Sequence, residues 1–298
     1  MIGAVDIGGT KIAVGMVDES GQLFARFENP TDPNRGPGYG LALVCEMLWK
    51  ASSQAGGKMN GIGIGCTGPV DPFTGTLGPN EFLPGWEGLN LVDELQREFS
   101  VKVALENDAD AAALGEYAWG AGKGVDHLIY VTVSTGIGCG IVLDGKLYRG
   151  ADGSHPEIGH HVIDPSGPLC FCGASGCWES LACGPALARE GKMNSAQEVC
   201  AAAERGESTA LKAVEREGYY LGLGLANLVT LFIPNVITLG GGVMRSHHLF
   251  WDAIQATIRK TCGLVPYKKT TLVPVTPGMD INLLGAACVW LHRYGESK

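Results

Sequence analysis

Apolar positions along this chain alternate with short glycine-rich breaks, and the alternation predicts a mixed α/β protein. Ile2–Asp6 reads as a short buried strand; Gly8-Gly9-Thr10 turns it into a second, Ile12–Val17. Asp18-Glu19-Ser20-Gly21 turns again into Gln22–Phe27, completing a three-strand antiparallel meander. Pro30–Gly40 is rich in proline and glycine and reads as a loop; Leu41–Ala55 has helical periodicity, with Leu43, Met47 and Trp49 on its apolar side. Ile62–Ile64 is a buried strand, Leu91–Phe99 a helix, Val101–Glu106 a strand, and Ala109–Tyr117 an alanine-rich helix opening after Asn107-Asp108.

The pattern then restarts. His127–Val133 and Cys139–Leu143 are strands joined by the glycine turn Ser134–Gly138, and Asp144-Gly145 is a hairpin turn into Lys146–Arg149. Helices fill 180–233, followed by a strand at Val236–Leu239, a helix at Phe250–Thr261, a strand at Thr271–Pro274 and a last helix at Asn282–Tyr294. Strand–glycine turn–strand thus occurs near 2–17 and again near 127–143. This weak internal duplication predicts two similar lobes with a cleft between them.

A length of 298 residues allows two domains of moderate size and a core that needs no disulfides. Met1 leads directly into an apolar run broken by Asp6, so no secretory leader is expected. The cysteines at 45, 66, 139, 183, 200, 262 and 288 sit singly among apolar or small residues, as reduced core thiols of a cytoplasmic protein do. A net charge of −9 without a basic block argues against a nucleic-acid partner. The uncharged stretch Tyr219–Met244 is broken by glycines and by Pro234-Asn235, so it reads as helix, turn and buried strand rather than a membrane span.

Four zinc-type ligands, His160, Cys170, Cys172 and Cys177, fall in one short segment with Gly159, Gly167, Gly173 and Gly176 between them. Thiolates and an imidazole suit tetrahedral Zn²⁺, and four protein ligands make such a site structural. The competing interpretation is a set of buried unpaired cysteines with a chance histidine. Neither common nucleotide fingerprint is present. The Gly-Lys pairs at 57–58, 122–123, 145–146 and 191–192 are followed by Met, Gly, Leu and Met, which rules out a P-loop, and Gly8-Gly9 opens a hairpin rather than a helix. Two hairpins, Asp6-Ile7-Gly8-Gly9-Thr10-Lys11 and Ser134-Thr135-Gly136-Ile137-Gly138, can instead bring backbone N–H groups and hydroxyls to phosphate oxygens. Asp6 stands at a strand end where it could hold Mg²⁺, directly or through water. Gly240-Gly241-Gly242 after a third strand could pass a nucleotide's base or ribose. Each alone is also a common tight turn.

The chain resembles the sugar kinases of the ROK family, within the actin-like ATPase superfamily. The resemblance runs nearly the whole length, on DIGGTKIAVG (6–15), GIGCTGPVDP (63–72), LPGWEG (83–88), ENDADAAALGE (106–116), STGIGCGIV (134–142), PEIGH (156–160), CFCGASGCWE (170–179) and ITLGGGV (237–243). It implies an α/β, two-lobed actin-like ATPase (ribonuclease H-like) fold with an interlobe cleft. The smaller lobe would be 1–117 plus 284–298 and the larger 118–283, with the zinc-binding segment. It implies ATP and Mg²⁺ as cofactors with structural Zn²⁺, and transfer of a phosphoryl group to a hexose, glucose to glucose 6-phosphate first among them.

By the same resemblance Asp108 is the general base. A bland alternative exists, since Asp is a common helix cap. Asn107, Glu157, His160, Glu179 and, more weakly, Asn80 would bind sugar, while His161 packs. Asp6, Gly8, Gly9, Thr10, Lys11, Thr135, Gly136, Gly138, Gly241 and Gly242 would face ATP and its metal, and His160, Cys170, Cys172 and Cys177 would hold zinc. A homodimer or higher homo-oligomer is implied, with no membrane and no nucleic acid. His155-Pro156 departs from the Ala-Gly or Gly-Gly that often precedes the glutamate, and His-Pro-Glu resembles the fructokinase branch. The Cys-x-Cys-Gly-x-x-Gly-Cys run resembles the glucokinase and N-acylmannosamine kinase branch. The family also contains sugar-responsive repressors with an N-terminal helix-turn-helix; an acidic chain opening on the first phosphate hairpin argues against that class.

Overall fold

In the computed structural model, residues 1–276 and 280–295 are described. Contacts divide the chain into two units. One holds Met1–Gly124, Gly140–Pro156 and the chain from Thr276 onward; the other holds Val125–Cys139 and Glu157–Val275.

The first unit begins with the expected meander: β1 (Ile2–Ile7), β2 (Lys11–Val17) and β3 (Leu23–Pro30), paired antiparallel. Helix α1 (Gly36–Ala55) starts five residues before the predicted Leu41, after a 3-10 turn at Pro33–Arg35. Its Pro37 sits in the first turn, where proline's missing N–H costs nothing, so the Pro/Gly stretch begins a helix instead of preceding one. Then come β4 (Gly61–Cys66), a small hairpin β5 (Val70–Asp71) and β6 (Thr76–Leu77), α2 (Leu91–Phe99), β7 (Lys102–Asn107) and α3 (Asp108–Trp119). The hairpin has no counterpart in the sequence reading; its two-residue strands are too short to show a period.

The second unit contributes β8 (Leu128–Val133), β9 (Ile137–Leu143), whose residues from Gly140 belong to the first unit, and β10 (Lys146–Leu147), shorter than predicted. Helices α4 (Trp178–Leu181), α5 (Gly184–Gly191), α6 (Ala196–Glu204) and α7 (Ser208–Phe232) follow, then β11 (Val236–Gly240), α8 (Trp251–Thr261) and β12 (Thr271–Pro274). The chain closes the first unit with α9 (Ile281–Tyr294).

The duplication is visible in the sheets. Strand order is β3-β2-β1-β4-β7 in one and β10-β9-β8-β11-β12 in the other. β4 and β7 continue parallel from β1, as β11 and β12 continue parallel from β8. Each is the ribonuclease H-like order the family resemblance implies. Among the described residues no helix is long and apolar enough to cross a membrane. Among the described residues the seven scattered cysteines form no disulfide; six are buried and Cys45 is half-buried.

Side-chain alternation in β1 decides what the first sheet faces. Val5 and Ile7 join Met47 and Leu48 of α1 and Leu95 of α2 in one core. Ile2 and Ala4 join Leu283, Leu284 and Ala286 of α9 in a second. Asp6 has the same parity as Ile2 and Ala4, so the alternation turns its carboxylate toward α9. The glycines of β4 make room there: a Cβ on Gly63 would overlap the Ala286 carbonyl, and one on Gly61 the Trp290 indole. Gly63→Ala is therefore expected to destabilise the fold by about 2 kcal/mol or more through overpacking against helix backbone. Thermal unfolding checks this, and an unchanged melting temperature would contradict the packing.

Candidate functional site

In the first unit, chemistry gathers where β7 becomes α3. Glu106 and Asn107 end the strand buried. Asn107, rather than Asp108, is the helix cap: its Oδ1 accepts the N–H of Ala109 at 2.8 Å and of Asp110 at 3.4 Å. Asp108 is thereby the first helical residue, and its Oδ1 accepts the same Ala109 N–H at 2.9 Å. Part of the residue stays open, yet desolvation of the carboxyl pushes its pKa up, against the opposing pull of His155 and the Ala109 N–H. A raised carboxylate pKa suits a group that is to accept a proton. Asn107 Nδ2 lies beside Gly68, where a Cβ would come within 3.0 Å of it. Glu106 pairs with Arg149. Burial pushes the Glu106 carboxyl up to about 7 even so.

Asp6 is 5% exposed, and its Oδ2 accepts from Asn282 Nδ2 at 3.1 Å. Burial raises its pKa to about 7. A cation beside this carboxylate would relieve that cost, so Asp6 fits the Mg²⁺ role. Gly8 N–H bonds the Lys11 carbonyl at 2.9 Å, closing the hairpin, and a Cβ on Gly9 would come within 2.7 Å of Phe82. Thr10 is exposed; its carbonyl accepts from Thr31 N–H at 2.9 Å. Lys11 Nζ lies 3.0 Å from Glu28 in an exposed pair. Asn80 spends both ends of its amide on the backbone, to Thr67 O at 3.0 Å and from Phe82 N–H at 2.8 Å, so its visible work is to shape its own loop. Asn282 and Thr31, whose Oγ1 bonds Gly8 O at 2.7 Å, escaped the sequence reading. For Asn282 the clue was Asp-x-Asn at a helix start, where Asp280 accepts the Leu283 N–H.

In the second unit, His160 Nδ1 lies 3.5 Å from Cys170 Sγ, and Cys172 Sγ lies 3.5 Å from Cys177 Sγ. All four ligand atoms fall within 4.8 Å of one another. A tetrahedral zinc with three ordinary Zn–S and one Zn–N length needs edges of about 3.5–3.8 Å, so with a small contraction these residues could hold one. Gly173 and Gly176 have φ of 94° and 74°, which L side chains rarely adopt. A Cβ on Gly176 would also overlap the Asp164 carbonyl. His160 Nδ1 faces the Cys170 sulfur, and the ring meets the Phe171 ring edge-on at 5.0 Å. Glu179 Oε2 accepts Ile137 N–H at 2.7 Å. Burial raises its pKa; the Ile137 N–H and His160 oppose this and Glu157 adds to it, which places the three sugar candidates in one field. Glu157 itself is exposed. His161 packs: its ring meets Trp178 edge-on at 5.5 Å, and Nε2 lies 3.2 Å from Asn227 Nδ2.

A Cβ on Gly136 would overlap the Glu179 carboxylate, so that glycine lets a carboxylate approach the turn. Gly138 lies in β9. Gly241, with φ of 93°, passes so near Val133 that a Cβ would overlap its carbonyl. Thr135 and Gly242 line a cavity of about 560 Å³ whose other walls include Gly184, Arg189, Arg245 and Ser246. A nucleoside fits that volume. The α5, α6 and 243–249 walls carry no fingerprint in the sequence; their local signals are Gly184-Pro185, a helix start, and Arg245 just beyond the triple glycine.

Residues 2–293 match the sequence model of the ROK family. A glucokinase of Thermotoga maritima is 33% identical, the match covering 98% of this chain and 97% of that one. A ROK hexokinase structure from Thermus thermophilus superposes with a TM-score of 0.87 at 35% identity, over 98% of each chain. A ROK glucokinase from Streptomyces griseus, solved with glucose and AMPPNP, gives a TM-score of 0.83 at 33% identity, over 96% of this chain and 97% of that one.

The Asp6 geometry makes a prediction about stability. Its folded pKa of about 7 lies above the ordinary 3.8, so the folded state binds the proton more tightly. Stability is fullest below about pH 4 and is lost as pH rises to about 7. Asp6→Asn removes this cost, so in Mg²⁺-free buffer its stability advantage should grow from acid to neutral pH, to the order of a few kcal/mol, and then level off. Denaturant unfolding at several pH values checks it; an advantage independent of pH would contradict the burial argument.

Proposed function

This chain belongs to the ROK family, and from that membership we propose that it is an ATP-dependent sugar kinase converting glucose to glucose 6-phosphate. The observation that carries the reading is Asp108. It is a carboxylate at the first position of a helix, at the end of a buried strand, with its pKa raised by burial and held in check by a backbone N–H and an imidazole. Near-full-length similarity to glucokinases supports glucose as the acceptor.

In this reading Asp108 accepts the proton of a sugar hydroxyl as that oxygen attacks the γ-phosphorus of ATP; the new O–P bond forms, the bond to the β-phosphate oxygen breaks, and ADP leaves. Asn107 offers its Nδ2 to the sugar while Oδ1 stays committed to the helix. Glu157, His160 and Glu179 accept and donate hydrogen bonds to further hydroxyls. The Gly8-Gly9 hairpin, Thr10, Lys11 and the 135–138 turn cradle phosphates; Gly241 and Gly242 border the nucleoside. Asp6 would hold Mg²⁺, which when bound neutralises charge on the phosphates. His160, Cys170, Cys172 and Cys177 would hold zinc, whose contribution is to fix the loop carrying His160.

A coupled assay with ATP and Mg²⁺ across glucose, fructose, mannose, N-acetylmannosamine and N-acetylglucosamine should give the highest kcat/KM with glucose. Fructose in first place would shift the assignment to the fructokinase branch that His155-Pro156 resembles. Metal analysis of the purified protein should find about one zinc per chain, and chelation should lower the melting temperature and weaken glucose binding. A zinc-free protein that binds glucose normally would refute the brace.

A further inference from the structure

Residues 149–156 of the first unit reach the β7–α3 junction at two points. Arg149 pairs with Glu106, the residue before the Asn107 cap. His155 Nδ1 lies 2.9 Å from Asp110 Oδ2, two residues beyond Asp108, with the two side chains only 11% and 2% exposed. Between the two anchors the chain makes a tight turn: Gly153 N–H bonds Gly150 O and Ser154 N–H bonds Ala151 O. Gly153 has φ of 81°, and a Cβ there would overlap the Phe73 ring, so the turn is shaped to keep both anchors in place. Pro156 restricts His155 to extended backbone. The segment therefore grips Glu106 on one side of Asp108 and Asp110 on the other.

Asp110 is an unusual partner to find buried. Its Oδ1 is also buried and has no hydrogen-bond partner among the described residues, so His155 is the main polar compensation that this carboxylate receives. An imidazole clamped on one buried carboxylate and acting on the half-buried Asp108 two residues before it is more than a packing contact.

We propose that His155, oriented by Asp110, is a positioning residue for the catalytic base: its protonated imidazole keeps the Asp108 carboxylate ionised and aimed, while Arg149 fixes the other end of the same junction. This rests on the reading of Asp108 as the base. The charged and titratable groups acting on Asp108 are Asp110 on its own helix, His155 from the 149–156 segment, and Asp6 of β1; Cys66 of β4 also lies in its field. Lys11 acts on Asp6 in turn. Among these groups, His155 is the one that favours the ionised form of Asp108 by charge.

The test is the pH profile of kcat/KM for glucose at saturating ATP and Mg²⁺, so that Asp6 is not the titrating group. His155→Gln keeps a hydrogen bond to Asp110 but cannot carry the charge. Its acid limb should move up by about one pH unit, a roughly 10-fold loss relative to the parent protein at a pH on that limb. His155→Asn is a second variant of different length, and it should move the limb in the same direction. An unmoved limb in a folded variant, with or without a uniform loss at every pH, overturns the proposal. Asp108→Ala, run alongside, separates the two layers. If it abolishes turnover and the His155 limb stays put, only the positioning role fails; if it retains turnover with the parent's acid limb, the base assignment fails and takes the positioning role with it.

Discussion

Asn107 caps α3, and the rest of the catalytic reading depends on that cap. A buried strand running into a buried helix leaves N–H groups with no water to satisfy them, and a side-chain oxygen must do so. Asn107 Oδ1 takes two of them. With the cap supplied by residue 107, the carboxylate of residue 108 shares the Ala109 N–H through Oδ1 and stands at the positive end of the helix, where a negative charge is favoured. Burial raises its pKa and the helix end restrains the rise. These opposed effects suit a carboxylate that is to accept a proton in a transition state.

The cap carries a cost, since Glu106, Asn107 and Asp110 are all buried polar groups on one turn of chain. Arg149 answers Glu106 and His155 answers Asp110, both from one short segment. In the second unit the same economy appears in another form. Glu179 is fixed by a backbone N–H, and His160 Nδ1 faces the Cys170 sulfur. In both units a candidate sugar ligand is held through one of its two polar side-chain atoms: Oδ1 on Asn107 and Oε2 on Glu179.

Much of this was legible in the sequence because it is carried by local pattern. The two meanders follow from alternation and glycine turns, and the zinc-type segment follows from ligand spacing, since those contacts are made within eighteen residues. What escaped depends on contacts across long separations. The Glu106–Arg149 and Asp110–His155 pairs span more than forty residues and leave no periodic trace. Gly61 and Gly63 read as ordinary strand glycines, whereas they exist for Trp290 and Ala286, over two hundred residues away. The two backbone bonds of the Asn80 amide, to Thr67 O and from Phe82 N–H, were likewise not legible in its motif. The early start of α1 was hidden because Pro-Gly signals a loop and a helix first turn equally well.

The central claim is that Asp108 serves the chemical step and not the binding of sugar. The measurement that tests it most directly is glucose affinity, by calorimetry, set beside turnover for Asp108→Asn. The account predicts a dissociation constant within about threefold of the parent protein, and a kcat reduced by about 10²-fold or more, the usual worth of a general base. Near-normal turnover would contradict it, and so would a loss of activity that follows entirely from lost glucose binding.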